Sequence, residues 1–128
     1  MQPKKKKVYI SGKYAHWDRV GRYTDDLRAH GHFITWDWTT EGARALGPRD
    51  AALHDLRGVS ECDVLLIVLD CPSHPYRGTL CELGMALALG KPVVVCNLAA
   101  TQFGDFPFLQ HPLCWHTHSW DEARASLD

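Results

Sequence analysis

The sequence predicts an α/β fold, a doubly wound parallel sheet of about five strands with helices on both faces. Three observations carry this. The stretch from Asp63 to Asn97 runs through an apolar segment, a loop bearing Pro and Gly, a helix, a Gly-Lys-Pro stop and a second apolar segment, which spells one βαβ unit. Its first segment, Val64 to Leu69, is apolar at every position, as expected of a parallel strand covered on both faces. Upstream, a short β-rich run passes through Gly12 into an amphipathic helix, which is the first β-α step of a Rossmann-like or flavodoxin-like chain.

Taken in order, residues 8–11 form the first strand. Over residues 17–30, Trp17, Val20, Thr24 and Leu27 recur at helical spacing, Arg19, Arg22, Asp26 and Arg28 fill the other face, and Gly31 closes the helix. Residues 32–38 are aromatic and β-branched and predict a second strand, with Phe33, Thr35 and Asp37 alternating against Ile34, Trp36 and Trp38. Either tryptophan can belong to the core or stack on a planar base. Residues 39–48 lack periodicity and are expected to form a loop, placed at a strand's carboxyl end where it can cover a ligand.

Pro48 starts a helix over residues 49–61 with Ala52, Leu53, Leu56 and Val59 as its expected buried stripe. Projected at about 100° per residue, Asp55 falls at the margin of that stripe, about 40° from Val59 and about 60° from Ala52. A carboxylate there is either a surface group paired with Arg49 or Arg57, or a partly desolvated acid equipped to hold a proton. Asp63 reads as a turn or capping residue. Asp70 ends the central strand, but the acidic pair and the Thr/Ser and Lys strands of a receiver domain are not where they should be.

The loop of residues 71–78 delivers the chain to a helix over residues 79–89, where Gly78 and the N–H groups from Thr79 onward can accept an anion or a sugar hydroxyl. This helix is apolar nearly all round and needs cover on more than one side, which predicts a subunit interface. After a strand at residues 93–96 come a Phe-rich loop over residues 97–111, an edge strand at residues 114–118 and a terminal helix over residues 119–127 capped by Ser119. His111, Cys114, His116 and His118 have a spacing that suits alternate faces of a strand and not a tetrahedral metal site.

At 128 residues the chain is expected to be one domain, with residues 1–7 a disordered basic tail. A formal net charge of −1 with interspersed signs gives no electrostatic drive toward a nucleic acid polymer or an anionic membrane, so a small substrate is expected. The five cysteines form an odd set without CxxC pairing, which fits reduced thiols in a cytoplasmic protein. Lys4 to Lys7 lead into a strand-like segment and not into the apolar stretch of a signal peptide.

Glu82 admits two readings. Thr79-Leu80-Cys81-Glu82 fits a capping box, in which both side chains satisfy orphan N–H groups at a helix start. Alternatively, Glu82 stands at the mouth of a βαβ crevice, where ligands bind.

Glu82-Leu83-Gly84-Met85-Ala86-Leu87-Ala88-Leu89-Gly90-Lys91-Pro92, Asp55-Leu56 ahead of Asp63 and its apolar strand, and Tyr9 in Val8-Tyr9-Ile10-Ser11-Gly12 occur in order over most of the chain. In this it resembles the nucleoside 2-deoxyribosyltransferase family. The resemblance implies Glu82 as nucleophile, Asp55 as general acid and Tyr9 as the group that orients the nucleophile, with no metal or organic cofactor. It implies substrate contacts from Ser11, Gly12, Lys13, Trp36, Tyr76, Arg77, Gly78 and Thr79, and from Asn97 toward a neighbouring subunit's site. Two departures stand out. The transferase branch has an Asp six residues before the nucleophile, where this chain has Tyr76 and the nucleotide-hydrolase branch a Ser. The hydrolase branch grips a 5′-phosphate with Ser and Arg after the first strand, where this chain offers Lys13, Tyr14 and Ala15, leaving Arg77 as a source of phosphate charge.

The expected activity is therefore transfer of a 2-deoxyribosyl group between nucleobases through a covalent glycosyl-Glu82. Hydrolysis of a deoxynucleoside 5′-monophosphate at its N-glycosidic bond and non-catalytic nucleotide binding are the alternatives. The expected partners are a nucleoside or nucleotide, a free nucleobase and further copies of the chain in a homodimer or larger homo-oligomer.

Overall fold

In the computed structural model, which describes residues 5–99, 103 and 105–128, the run Val64–Leu69 is strand β3 at the centre of a five-stranded sheet, with every residue buried. The other strands are β1 (Lys7–Ser11), β2 (Phe33–Ile34), β4 (Val93–Asn97) and β5 (Cys114–Thr117), in the order β2-β1-β3-β4-β5 and all parallel. Chain order reverses between β1 and β3, so the connections leave these two strands in opposite directions and open a crevice at their carboxyl ends.

The helices are α1 (Trp17–Ala29), α2 (Glu41–Arg44), α3 (Pro48–Glu61), α4 (Arg77–Ala88) and α5 (Trp120–Ala125). Strand alternation sorts the core into two layers. Val8 and Ile10 of β1 and Leu66 and Val68 of β3 pack with Val20 and Leu27 of α1 and Ala123 of α5. Tyr9 of β1 and Leu65, Ile67 and Leu69 of β3 pack on the opposite face with Val59 of α3 and Leu83 and Ala86 of α4. Tyr9 and Ser11 therefore face the same side as α3 and α4.

Ser119 caps α5, its hydroxyl accepting from the Glu122 N–H at 3.1 Å. Asp63 accepts from the Lys7 N–H at 2.9 Å and so pins the start of β3 to β1. All five cysteines are free thiols. Among the described residues, no helix is long and apolar enough to cross a membrane, and no group of three or more His, Cys, Asp or Glu could hold a metal ion.

Several expected features differ. Lys7 belongs to β1, between β2 and β3, and the Lys6 carbonyl accepts from Phe33 N–H at 2.9 Å, so these two lysines are held in the sheet. Lys4 and positions 100, 101, 102 and 104 of the Phe-rich segment lie outside the described residues. That segment contains a 3-10 turn, Pro107–Gln110, which buries Leu109. The second strand keeps only Phe33–Ile34, because Trp36 turns onto α3 and Asp37 binds Arg28 at 3.0 Å. Within residues 39–48, Thr40 accepts from Ala43 N–H and starts the short helix α2.

Trp17 is exposed at the start of α1, where the Arg44 guanidinium lies 3.6 Å above its ring. The stripe on α3 is also rotated from expectation. Leu53 and Leu56 are 58% and 46% exposed, whereas Gly58 and Val59 are buried and Asp55 is half-buried. Periodicity alone had favoured the larger apolar side chains, but the sheet admits the smaller ones.

Candidate active site

Helix α4 begins at Arg77, three residues earlier than the capping-box reading requires, behind a Tyr76 whose φ of 50° lies in the left-handed region. The Tyr76 hydroxyl accepts from the N–H groups of Asp70 and Cys71, both at 2.9 Å, and donates to the Asp70 carboxylate at 3.2 Å. These bonds hold the strained turn, and burial pushes the Tyr76 phenol up to about 12 against the pull of the two N–H donors, with the Asp70 carboxylate adding to the rise. The early start places Glu82 in the second turn, beyond reach of the orphan N–H groups, and α4 has no side-chain cap.

Glu82 points into the sheet instead. Its Oε1 accepts from the Ser11 hydroxyl at 2.7 Å, and Ser11 Oγ lies 2.8 Å from Thr79 Oγ1. Because the one Ser11 proton goes to Glu82, the Thr79 hydroxyl is the donor to Ser11, giving a chain from Thr79 through Ser11 to Glu82. The Tyr9 hydroxyl is in hydrogen-bond contact with both Glu82 and Asp55. Asp55 is also held by the indole N–H of Trp36.

Burial sets the electrostatics. Glu82, 9% exposed, is pushed up to about 7, since desolvation outweighs the bonds donated by Tyr9 and Ser11, and the Asp55 charge adds to the rise. Burial also raises Asp55 against the bonds from Trp36 and Tyr9 and the nearby His54. The Tyr9 phenol is raised far above its ordinary range, first by burial and then by the two carboxylates, so it stays a donor at any working pH. With one proton between the carboxyl groups, Asp55 can donate to the Tyr9 oxygen while Tyr9 donates to an ionised Glu82.

Above these groups is a cavity of about 450 Å³, in the range that holds small-molecule ligands. Tyr9, Ser11, Thr79 and Glu82 lie on one side of it with Asp55, and Gly12, Trp36, Tyr76, Arg77 and Gly78 also line it. Tyr76 offers its ring, because its hydroxyl is engaged with the end of β3.

One expected contact residue lies elsewhere, and Asn97, expected to serve a neighbouring subunit's site, is also apart from this cavity. Lys13 does not line the cavity, and its Nζ lies 3.8 Å from Cys71 Sγ. Asn97 lines a separate depression with Leu69, Phe103 and His116. Asp70, just past the end of β3, binds His16 at 2.8 Å and Arg19 at 3.0 Å on the α1 side of the sheet. Tyr14, Ala43, Leu46 and Ala51 line the cavity without having been singled out. Ala43 and Leu46 are apolar residues of an aperiodic stretch that carries no chemical signal, and Ala51 comes from the first turn of α3.

The fold is shared with solved structures. The CMP N-glycosidase BcmB of Clostridium botulinum superposes with a TM-score of 0.65 at 17% identity, covering 95% of this chain and 98% of that one. The solution structure of BlsM gives 0.69 at 20% identity, covering 94% and 86%. A 2-deoxyribosyltransferase from Leishmania mexicana gives 0.57 at 27% identity, covering 73% of this chain and 65% of that one. No functionally curated protein matches the sequence. The model of the nucleoside 2-deoxyribosyltransferase family matches residues 8–118, which take in all of β1 but Lys7, all the cavity-lining residues and β5, and the chain belongs to that family.

Proposed function

We propose that the protein transfers a 2-deoxyribosyl group between nucleobases. The observation that carries this reading is a buried carboxylate, Glu82, fixed by Ser11 and joined through one phenol, Tyr9, to a second carboxyl, Asp55, beside a ligand-sized cavity.

Glu82 attacks C1′ of a 2′-deoxynucleoside, and the N-glycosidic electron pair leaves with the base. Asp55 delivers the proton to the departing base, directly or through water, and becomes a carboxylate. The absent 2′-hydroxyl eases oxocarbenium character at C1′, and Tyr9 and Ser11 keep Glu82 aimed. A second base then attacks C1′ of the glycosyl-enzyme, its ring proton passes to Asp55, and Glu82 is released as carboxylate. Water in place of that base gives hydrolysis. All the chemistry comes from side chains, with neither metal nor organic cofactor.

Hydrolysis of a nucleoside 5′-monophosphate is the second reading. Tyr76 supports it, standing where the transferase branch has a sugar-binding Asp, and so does exposed Arg77 at the cavity mouth, available to a phosphate. Incubating a deoxynucleoside, or its 5′-monophosphate, with and without a second free base separates the readings. Exchange product is expected. Free sugar or sugar phosphate alone marks a hydrolase, and binding without turnover overturns both.

The proposal includes a homodimer or larger homo-oligomer. Leu53 and Leu56 on α3 and Leu89 beyond α4, 53% exposed, leave apolar surface on two packed neighbouring helices. Sedimentation of the wild type is expected to give at least a dimer, and the Leu53→Asp, Leu56→Asp double variant a monomer. A monomeric wild type at micromolar concentration would refute the interface. The free thiols fit a reducing cytoplasmic setting.

A further inference from the structure

We infer that Gly58 and Trp36 are positioning residues that set the depth of α3 and the aim of the Asp55 carboxyl, an inference that rests on the acid role proposed above for Asp55. A glycine inside a helix costs about 1 kcal/mol relative to alanine, and Gly58 does not have the positive φ that would require one. What requires it is proximity. A Cβ at position 58 would lie 2.7 Å from Cδ2 and 2.9 Å from Cε2 of Tyr9, and 2.8 Å from Cβ of Trp36. Neither neighbour can give way. The Tyr9 ring is 1% exposed and its hydroxyl ends on Glu82 and Asp55. Trp36 is held by its bond to Asp55, by the His54 ring stacked on it at 4.2 Å and 13°, and by the preceding Thr35, whose hydroxyl donates to the Gly58 carbonyl at 2.7 Å.

Asp55 lies one helical turn before Gly58, on the same face of α3. The missing side chain thus lets α3 settle against Tyr9 and Trp36 at the depth where Asp55 meets the Tyr9 hydroxyl. The indole N–H then gives the carboxyl a second restraint beside the Tyr9 hydroxyl. One face of Trp36 is taken by His54, which seats the ring against α3 beside Asp55.

A loss of acid aim differs from a general loss of structure in its dependence on the leaving group. With a 2′-deoxynucleoside that the wild type accepts, Trp36→Phe, which removes the N–H and keeps an aromatic ring, is expected to lower kcat about tenfold or more. With an electron-poor analogue of the same nucleoside, whose base departs without protonation, the loss is expected to stay within twofold. Gly58→Ala should show the same split, and Asp55→Ala a larger one. Equal losses on both substrates, or no loss on either, would overturn the inference. NMR titration of the Asp55 carboxyl gives a readout free of turnover. Loss of the donated N–H in Trp36→Phe should raise its pKa, and an unmoved titration would likewise refute the Trp36 restraint. If the wild type turns over no nucleoside, the proposed function fails, while the titration still decides the positioning. Should Gly58→Ala fail to fold, Trp36→Phe carries the test.

Discussion

Glu82→Gln is expected to abolish glycosyl transfer in a protein that still folds. Glutamine keeps the shape of the side chain, and its amide oxygen can still accept from Ser11 and Tyr9, but it has no ionised oxygen to bond C1′. Removal of a covalent nucleophile lowers kcat by on the order of 10⁴-fold or more. A substrate whose glycosyl-enzyme breaks down slowly should add one sugar residue to the mass of the wild type and nothing to that of the variant. A capping role predicts a different result, a cost of about 1 kcal/mol in stability with turnover intact. Residual turnover within tenfold of wild type would remove Glu82 from the mechanism.

The second large effect is on pH dependence, where activity rises on its acid limb while stability falls. Burial raises Glu82 from 4.5 to about 7 in the folded chain. The unfolded chain therefore loses this proton at lower pH than the folded one. The contribution to stability is full below about pH 4.5, falls as pH rises, and levels off above about 7, for a total loss of about 3 kcal/mol. Asp55, also raised by burial, adds to the same trend. Glu82→Gln removes the larger part, so urea midpoints at pH 5 and pH 8 should differ much less in the variant than in the wild type. Transfer needs Glu82 ionised and Asp55 protonated, so kcat/KM should follow a bell whose rising limb reports Glu82 and lies well above the 4.5 of an ordinary glutamate, and whose falling limb reports loss of the Asp55 proton. An acid limb at the ordinary position would mean that Glu82 is hydrated in the working enzyme or is not the titrating group.

The two aspartates at the edges of core elements show where local reading stops. In the sequence Asp55 stands at the margin of a helix stripe and Asp70 at the end of the central strand. Asp55 reaches it because the glycine-faced side of α3 lies against Tyr9. Asp70 turns away to His16 and Arg19 because strand parity places it on the α1 side. The helical projection put Asp55 at a margin but assigned the wrong margin, since Leu53 and Leu56 face outward. Hydrophobicity ranks side chains by transfer free energy, and space against a sheet selects them by size.

Strand order along the chain, helices α1, α3, α4 and α5, the buried run Val64–Leu69, the Ser119 cap and the family motifs around Tyr9, Asp55 and Glu82 all followed from the chain alone, because each depends on neighbours in sequence or on period. Tertiary structure decided what stood opposite each group: Ser11 and Tyr9 on Glu82 in place of its own helix start, Trp36 on Asp55, and Lys13 and Asn97 outside the cavity. Hydrogen bonds between residues tens of positions apart depend on strand order, on side-chain parity and on how closely a helix can approach its sheet. None of these is written in any local window of residues.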